Sequence, residues 1–136
     1  MEIKGKTILI TGGSAGIGLE AARQFLVNGA KVIITGRDQI KLDQVQQLYP
    51  SIVAIKSDVA DADNSYLLYK KVTELGGIDV LYNNAGVGTK PLSLAKTNPK
   101  HYEDAAYEMS VNYLGVIRLT DLFLDHLKSR DEAAQS

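Results

Sequence analysis

The residues with the clearest chemical potential are Thr11-Gly12-Gly13-Ser14-Ala15-Gly16-Ile17-Gly18 (TGGSAGIG), with glycines 12, 16 and 18 at TGxxxGxG spacing. Glycines let the main chain approach a ligand closely, and the free N–H groups at the start of a helix attract phosphate. The chemistry this pattern suits is therefore the binding of a phosphorylated ligand. The alternative is a plain tight turn, but the loop lies between an apolar run and a helical one, where a phosphate loop belongs.

Two other readings compete for the same residues. A Walker A loop needs Lys and then Ser or Thr after its last glycine, and Leu19 and Glu20 stand there instead. Gly12 to Gly16 also satisfies GxSxG, the nucleophile elbow of esterases, which would require a catalytic His late in the chain. His101 falls in a connector, and His126 falls on a helix arc expected to be buried or at an interface, so neither suits a catalytic base.

The elements that must hold this loop follow from the hydrophobic pattern. Lys6 to Thr11 (KTILIT) reads as a buried strand that stops at Gly12-Gly13. A helix follows from Ala15, with Ile17, Ala21, Phe25, Ala22 and Leu26 on adjacent rows and a stop at Asn28-Gly29. Lys31 to Thr35 is a second strand, and Asp38 caps a second helix through Leu42, Val45 and Leu48 that ends at Pro50. Ile52 to Ile55 makes a third strand, Asp61 opens a third helix closed by Gly76-Gly77, and Ile78 to Tyr82 makes a fourth strand. Strands this continuously apolar, alternating with helices, predict an α/β Rossmann-type, doubly wound parallel sheet. Right-handed crossovers give the strand order 3-2-1-4.

Residues 88–100 form the one long connector, and Tyr102 to Leu127 reads as a long helix. On that helix Arg118, Asp121, Asp125 and Lys128 share a narrow polar arc, while Val111, Val116, Leu119, Leu122, Phe123, Leu124 and Leu127 cover most of the rest. So wide an apolar face predicts a partner subunit besides the helix's own sheet.

With these elements in place, TGGSAGIG, Thr35-Gly36-Arg37 after the second strand, Asp58-Val59 after the third, Asn83-Asn84-Ala85-Gly86 after the fourth and Val111-Asn112 in the long helix resemble the short-chain dehydrogenases/reductases. The resemblance covers essentially the whole chain but only the N-terminal, cofactor-binding half of the family's usual length. It implies that Thr11, Gly12, Ser14, Gly16, Ile17 and Gly18 hold the pyrophosphate and adenosine-ribose region of a nicotinamide dinucleotide. Arg37 would sit at the adenosine 2′ position. An NAD enzyme places an acid at the end of the second strand, whereas a 2′-phosphate needs a cation. Gly36 leaves the acid's place empty and Arg37 follows, which favours NADP(H) over NAD(H), although Asp38 could still serve a ribose. Asp58 and Val59 would border the adenine, and Asn83, Ala85 and Gly86 would line the adenosine side while Asn84 braces the sheet.

Asn112 resembles the helix Asn that holds a water in the family's proton relay, and it is the one member of the catalytic set that the resemblance finds here. In the family, a Tyr acts as acid/base, a Lys lowers that Tyr's pKa and a Ser steadies the substrate oxygen during hydride transfer between a nicotinamide and a carbonyl or alcohol carbon. Those three follow a fifth strand, which this sequence does not reach. The YxxxK at Tyr66 to Lys70 precedes the NNAG motif and reads as a solvated stripe on the third helix. Tyr102, Tyr107 and Tyr113 have no Lys four residues on. The expectation is an oxidoreductase-type chain that binds cofactor and is inactive alone. The alternatives are a fragment of a longer reductase or a non-enzymatic oligomeric interaction domain derived from one.

Composition narrows the partners. Across 136 residues, 15 Lys plus Arg against 16 Asp plus Glu give a net charge of −1, which argues against nucleic acid or an anionic membrane surface. An apolar share of 45% suits one globular domain over 1–136. There is no cysteine, hence no disulfide frame or thiolate metal site, and no metal is expected. The opening MEIKGKTILIT lacks the hydrophobic run of a signal peptide, so the expected location is cytoplasmic. Helix packing through 102–127, or pairing along the fourth strand's apolar edge, predicts a homo-oligomer.

Overall fold

A computed structural model describes residues 3–84 and 115–135, with side chains through 130. The elements run β1 (Thr7–Thr11), α1 (Gly16–Val27), β2 (Lys31–Gly36), α2 (Gln39–Leu48), β3 (Val53–Lys56), α3 (Ala62–Glu74), β4 (Val80–Asn83) and α4 (Val116–Gln135). All three strand pairings are parallel, and the sheet order is β3-β2-β1-β4, as the alternation and crossover rule predict.

Period-two alternation divides the core into two layers. Ile8, Ile10, Val32 and Ile34 face one way and pack with Ala22 of α1 and Leu42 and Val45 of α2. Leu9 and Ile33 face the other way and pack with Leu68 and Val72 of α3 and Leu119 and Phe123 of α4. Both faces of the central strands are therefore dry, which explains why their sequences lack a polar alternation.

Several element boundaries differ from the sequence reading. β3 and β4 begin one and two residues later than expected, at Val53 and Val80. Ile78 lies outside β4, where the imidazole Nε2 of His126 sits 3.0 Å from both its N–H and its carbonyl. The long helix does not stop at Leu127 but runs to Gln135, since Lys128 to Gln135 contains neither glycine nor proline to end it. The connector 88–100 and the stretch 102–114 lie outside the described residues.

On α4, Leu119 and Phe123 are fully buried, while Ile117 and Leu124 remain 58% and 41% exposed. Only part of the wide apolar face is thus covered within the chain. β4 pairs with β1 on one side, and among the described residues no strand pairs with its other edge.

Candidate dinucleotide site

The end of β1, the end of β2, the turn after β3 and the end of β4 meet at one edge of the sheet, the carboxyl ends of its parallel strands. In open α/β sheets ligands bind at this edge. The glycine loop is fixed there by specific bonds. Gly12 N–H reaches Thr35 Oγ1 at 3.4 Å, and Gly13 N–H reaches the Thr35 carbonyl at 3.0 Å. A Cβ on Gly13 would lie 2.5 Å from Ile34 Cγ2, so the loop lies directly on β2.

Asn84 ties the loop to β4. Its backbone N–H donates to Thr11 Oγ1 at 3.0 Å and its side-chain amide donates to the Gly12 carbonyl at 3.3 Å. A Cβ on Gly18 would fall 2.3 Å from that same carbonyl oxygen, so the first turn of α1 packs against the loop with no room for a side chain. This is the bracing expected of Asn84.

Gly16 differs from its neighbours in the loop. It has φ +59°, and a Cβ built on it would meet nothing within 4 Å. Space therefore opens over Gly16 on the ligand side. α1 begins at this residue behind Ala15, whose side chain provides no cap, whereas Asp38 and Asp61 cap α2 and α3. Uncapped N–H groups at a helix start, beside an open glycine, are the arrangement that suits an anion such as phosphate. Ile17, 75% exposed, projects beside it.

The end of β2 carries the second feature. Gly36 is buried, and a Cβ there would come within 3.0 Å of Ser14 Oγ and 3.3 Å of Leu42 Cδ2. Ser14 therefore occupies the place a side chain at 36 would take. Arg37, the next residue, is exposed at the rim.

The turn after β3 is closely knit. Asp58 N–H donates to Asn64 Oδ1 at 3.2 Å, Ala60 N–H donates to Asp58 Oδ1 at 2.9 Å, and Ser57 N–H donates to the Gly36 carbonyl at 2.9 Å. Val59 is buried, and the buried Ser57 Oγ lacks a hydrogen-bond partner. Asn83 is exposed, and its amide donates to Thr120 Oγ1 of α4 at 3.4 Å.

The structure thus gathers Thr11, Gly12, Ser14, Gly16, Ile17, Gly18, Arg37, Asp58, Val59 and Asn83 at one sheet edge. Ala85, Gly86 and Asn112 lie outside the described residues. Sequence reasoning missed the contacts of α4 with this edge, through Thr120 and through Arg118, whose Nη1 donates to the Ala60 carbonyl at 3.4 Å. No local pattern signals a bond across 58 residues. Tyr66 and Lys70 are exposed on α3, while Tyr69 packs edge-on against Phe123. Among the described residues no group of His, Asp or Glu is arranged to hold a metal ion, and no helix is long and apolar enough to cross a membrane.

Comparisons with known proteins agree with this architecture. The family model described as short chain dehydrogenase matches residues 6–134. The uncharacterized oxidoreductase DltE of Bacillus subtilis is 38% identical over 135 residues, which are 98% of this chain and 53% of that protein. The L-fucose dehydrogenase of Bos taurus is 31% identical over 91% of this chain and 45% of its own length. Among solved structures, a 3-ketoacyl-(acyl-carrier-protein) reductase from Brucella melitensis complexed with NADH superposes with a TM-score of 0.85 at 29% identity, covering 98% of this chain and 55% of that one. The chain spans about half the length of the curated relatives it matches.

Proposed function

This chain belongs to the short-chain dehydrogenase family, and we propose that it is the NADP(H)-binding half of a cytoplasmic oxidoreductase, a single domain that binds the dinucleotide without turning over substrate alone. One observation carries the cofactor reading: the open, positive-φ Gly16 at the uncapped start of α1, held at the carboxyl end of a parallel sheet. The residues fit a dinucleotide. Thr11, Gly12, Ser14, Gly16, Ile17 and Gly18 would receive its pyrophosphate and ribose, and Asp58, Val59, Asn83, Ala85 and Gly86 would border its adenosine. When bound, the nicotinamide supplies or accepts the hydride of the family's carbonyl/alcohol chemistry.

The preference for the 2′-phosphate rests on β2. An acid at position 36 would crowd Ser14 and Leu42, and the next residue, the exposed Arg37, carries the planar cationic donor that a phosphate suits. A complete reductase site would need residues from a longer product or from another chain.

A second reading, an oligomeric interaction domain derived from a reductase or joined to the rest of one, is favoured by the exposed Ile117 and Leu124 and by the open edge of β4. Calorimetric titration with NADPH and, in parallel, NADH separates the two. Tight NADPH binding with weak NADH binding is expected. Binding of neither would refute the cofactor reading and leave the interaction domain.

A further inference from the structure

We propose that Arg118 of α4 is a positioning residue for the adenosine end of the dinucleotide site, holding the Asp58–Asp61 turn in the shape that receives the ligand. The inference rests on the dinucleotide reading above and adds to it a residue from outside the sequence motifs.

The N–H groups of this turn are bound within the turn or from α3: Asp58 N–H to Asn64, Ala60 N–H to the Asp58 carboxylate and Asp61 N–H to the Asp58 carbonyl at 3.0 Å. The Ala60 carbonyl instead receives Arg118 Nη1 at 3.4 Å, a charge-assisted bond from the opposite helix. The Asp61 carboxyl is held below its ordinary range, first by the backbone N–H of Asn64 and to a lesser degree by the positive charge of Arg118. Arg118 therefore acts on the turn through a hydrogen bond and through charge.

Arg118 can hold the turn only if α4 itself does not slide, and the helix is fastened along its length. Leu119 and Phe123 are buried against the sheet. Two residues along from Arg118, Thr120 Oγ1 accepts from Asn83, so the same stretch of helix also touches the end of β4. At the far edge of the sheet, His126 Nε2 accepts the Ile78 N–H, and Arg130 donates to the Gly76 carbonyl and lies 3.8 Å from the Asp79 carboxylate. A Cβ on Gly77 would strike His126 Cε1 at 2.3 Å, so the glycine makes room for this clasp. A helix pinned at both edges delivers the Arg118 guanidinium to one place, and a preformed wall lowers the ordering cost of binding.

The test uses the full 136-residue chain, with NADPH affinity by calorimetry and backbone amide shifts of Asp58 to Asp61 without ligand. Arg118→Ala should shift those amides and weaken NADPH by about fivefold, and Arg118→Lys, which keeps a cationic donor, should recover most of the loss. Arg130→Ala loosens the same helix at the opposite edge and should lower the melting temperature while costing clearly less NADPH affinity than Arg118→Ala. Unmoved amides, an unchanged affinity in Arg118→Ala, or an equal affinity loss in Arg130→Ala would overturn the positioning role while leaving the dinucleotide reading intact. Failure of the unsubstituted chain to bind NADPH would overturn that reading and this inference with it.

Discussion

At the residue scale, function depends on which glycines of the loop serve the fold and which serve the ligand. Gly13 and Gly18 are required by the fold, since a Cβ at either would collide with Ile34 or with the Gly12 carbonyl. Gly16 faces open space, so a side chain there meets ligand rather than protein. Gly16→Val should fold, at a cost of about 1–2 kcal/mol for its left-handed backbone. It should lose at least about tenfold in NADPH affinity, or about 1.4 kcal/mol. Thermal melts establish the first effect and titration the second. Unchanged affinity would move the phosphate away from this loop. Arg37→Ala is the complementary test, because it removes the cation proposed to face the 2′-phosphate. NADPH should weaken by about tenfold or more, in line with the loss of a charge-assisted contact, while NADH changes little. Equal losses for both cofactors would reduce Arg37 to a solvated loop charge.

At the scale of elements, the cap of α3 makes a pH prediction. The Asp61 carboxylate accepts from the N–H groups of Asp63 at 2.8 Å and Asn64 at 3.1 Å, which holds its carboxyl below the ordinary carboxylate range. Glu20, bonded to Arg23 and Gln24 on α1, is lowered from 4.5 to about 2. Groups with depressed folded pKa values contribute stability above their unfolded pKa and lose it as pH falls through the folded one. The melting-temperature gap between the unsubstituted chain and Asp61→Ala should therefore be full at neutral pH and shrink as Asp61 becomes protonated in acid. A gap independent of pH would show that the charge of the cap is irrelevant. The caps of α2 and α3, the four strands and their order were legible in the sequence because they follow from local rules: Asp before an apolar helical run, glycine pairs after it, and right-handed crossovers between apolar strands. The ends of β4 and α4 were not. Ile78 is contacted by His126, 48 residues away, and Arg118 reaches Ala60 across 58 residues. Such partners are chosen by tertiary packing, and no periodicity announces them. Gly12, Gly16 and Gly18 could be read directly, whereas the role of Gly36 became physical only once Ser14 was seen to occupy the space beside it.

At the scale of the molecule, the fold leaves two surfaces that a stable isolated domain would cover. One is the outer edge of β4, whose Val80, Leu81 and Tyr82 are half-buried and on which, among the described residues, no strand pairs. Unpaired edge strands present a row of backbone donors and acceptors to any strand of matching reach. The other is the pair Ile117 and Leu124, seven residues apart and hence on one side of α4, both exposed although the helix is buried at Leu119 and Phe123. We expect the 136-residue chain to be a dimer or larger by light scattering, and a single substitution pair distinguishes the two surfaces. Ile117→Glu with Leu124→Glu places charges on already exposed positions, so the monomer fold should lose little, within about 0.5 kcal/mol per site. If the helix face joins the copies, the doubly substituted chain becomes monomeric, because two buried carboxylates per copy would have to lose their hydration at the interface. If the copies pair along β4, the assembly survives the same substitutions unchanged. A monomer before any substitution would remove the homo-oligomer altogether.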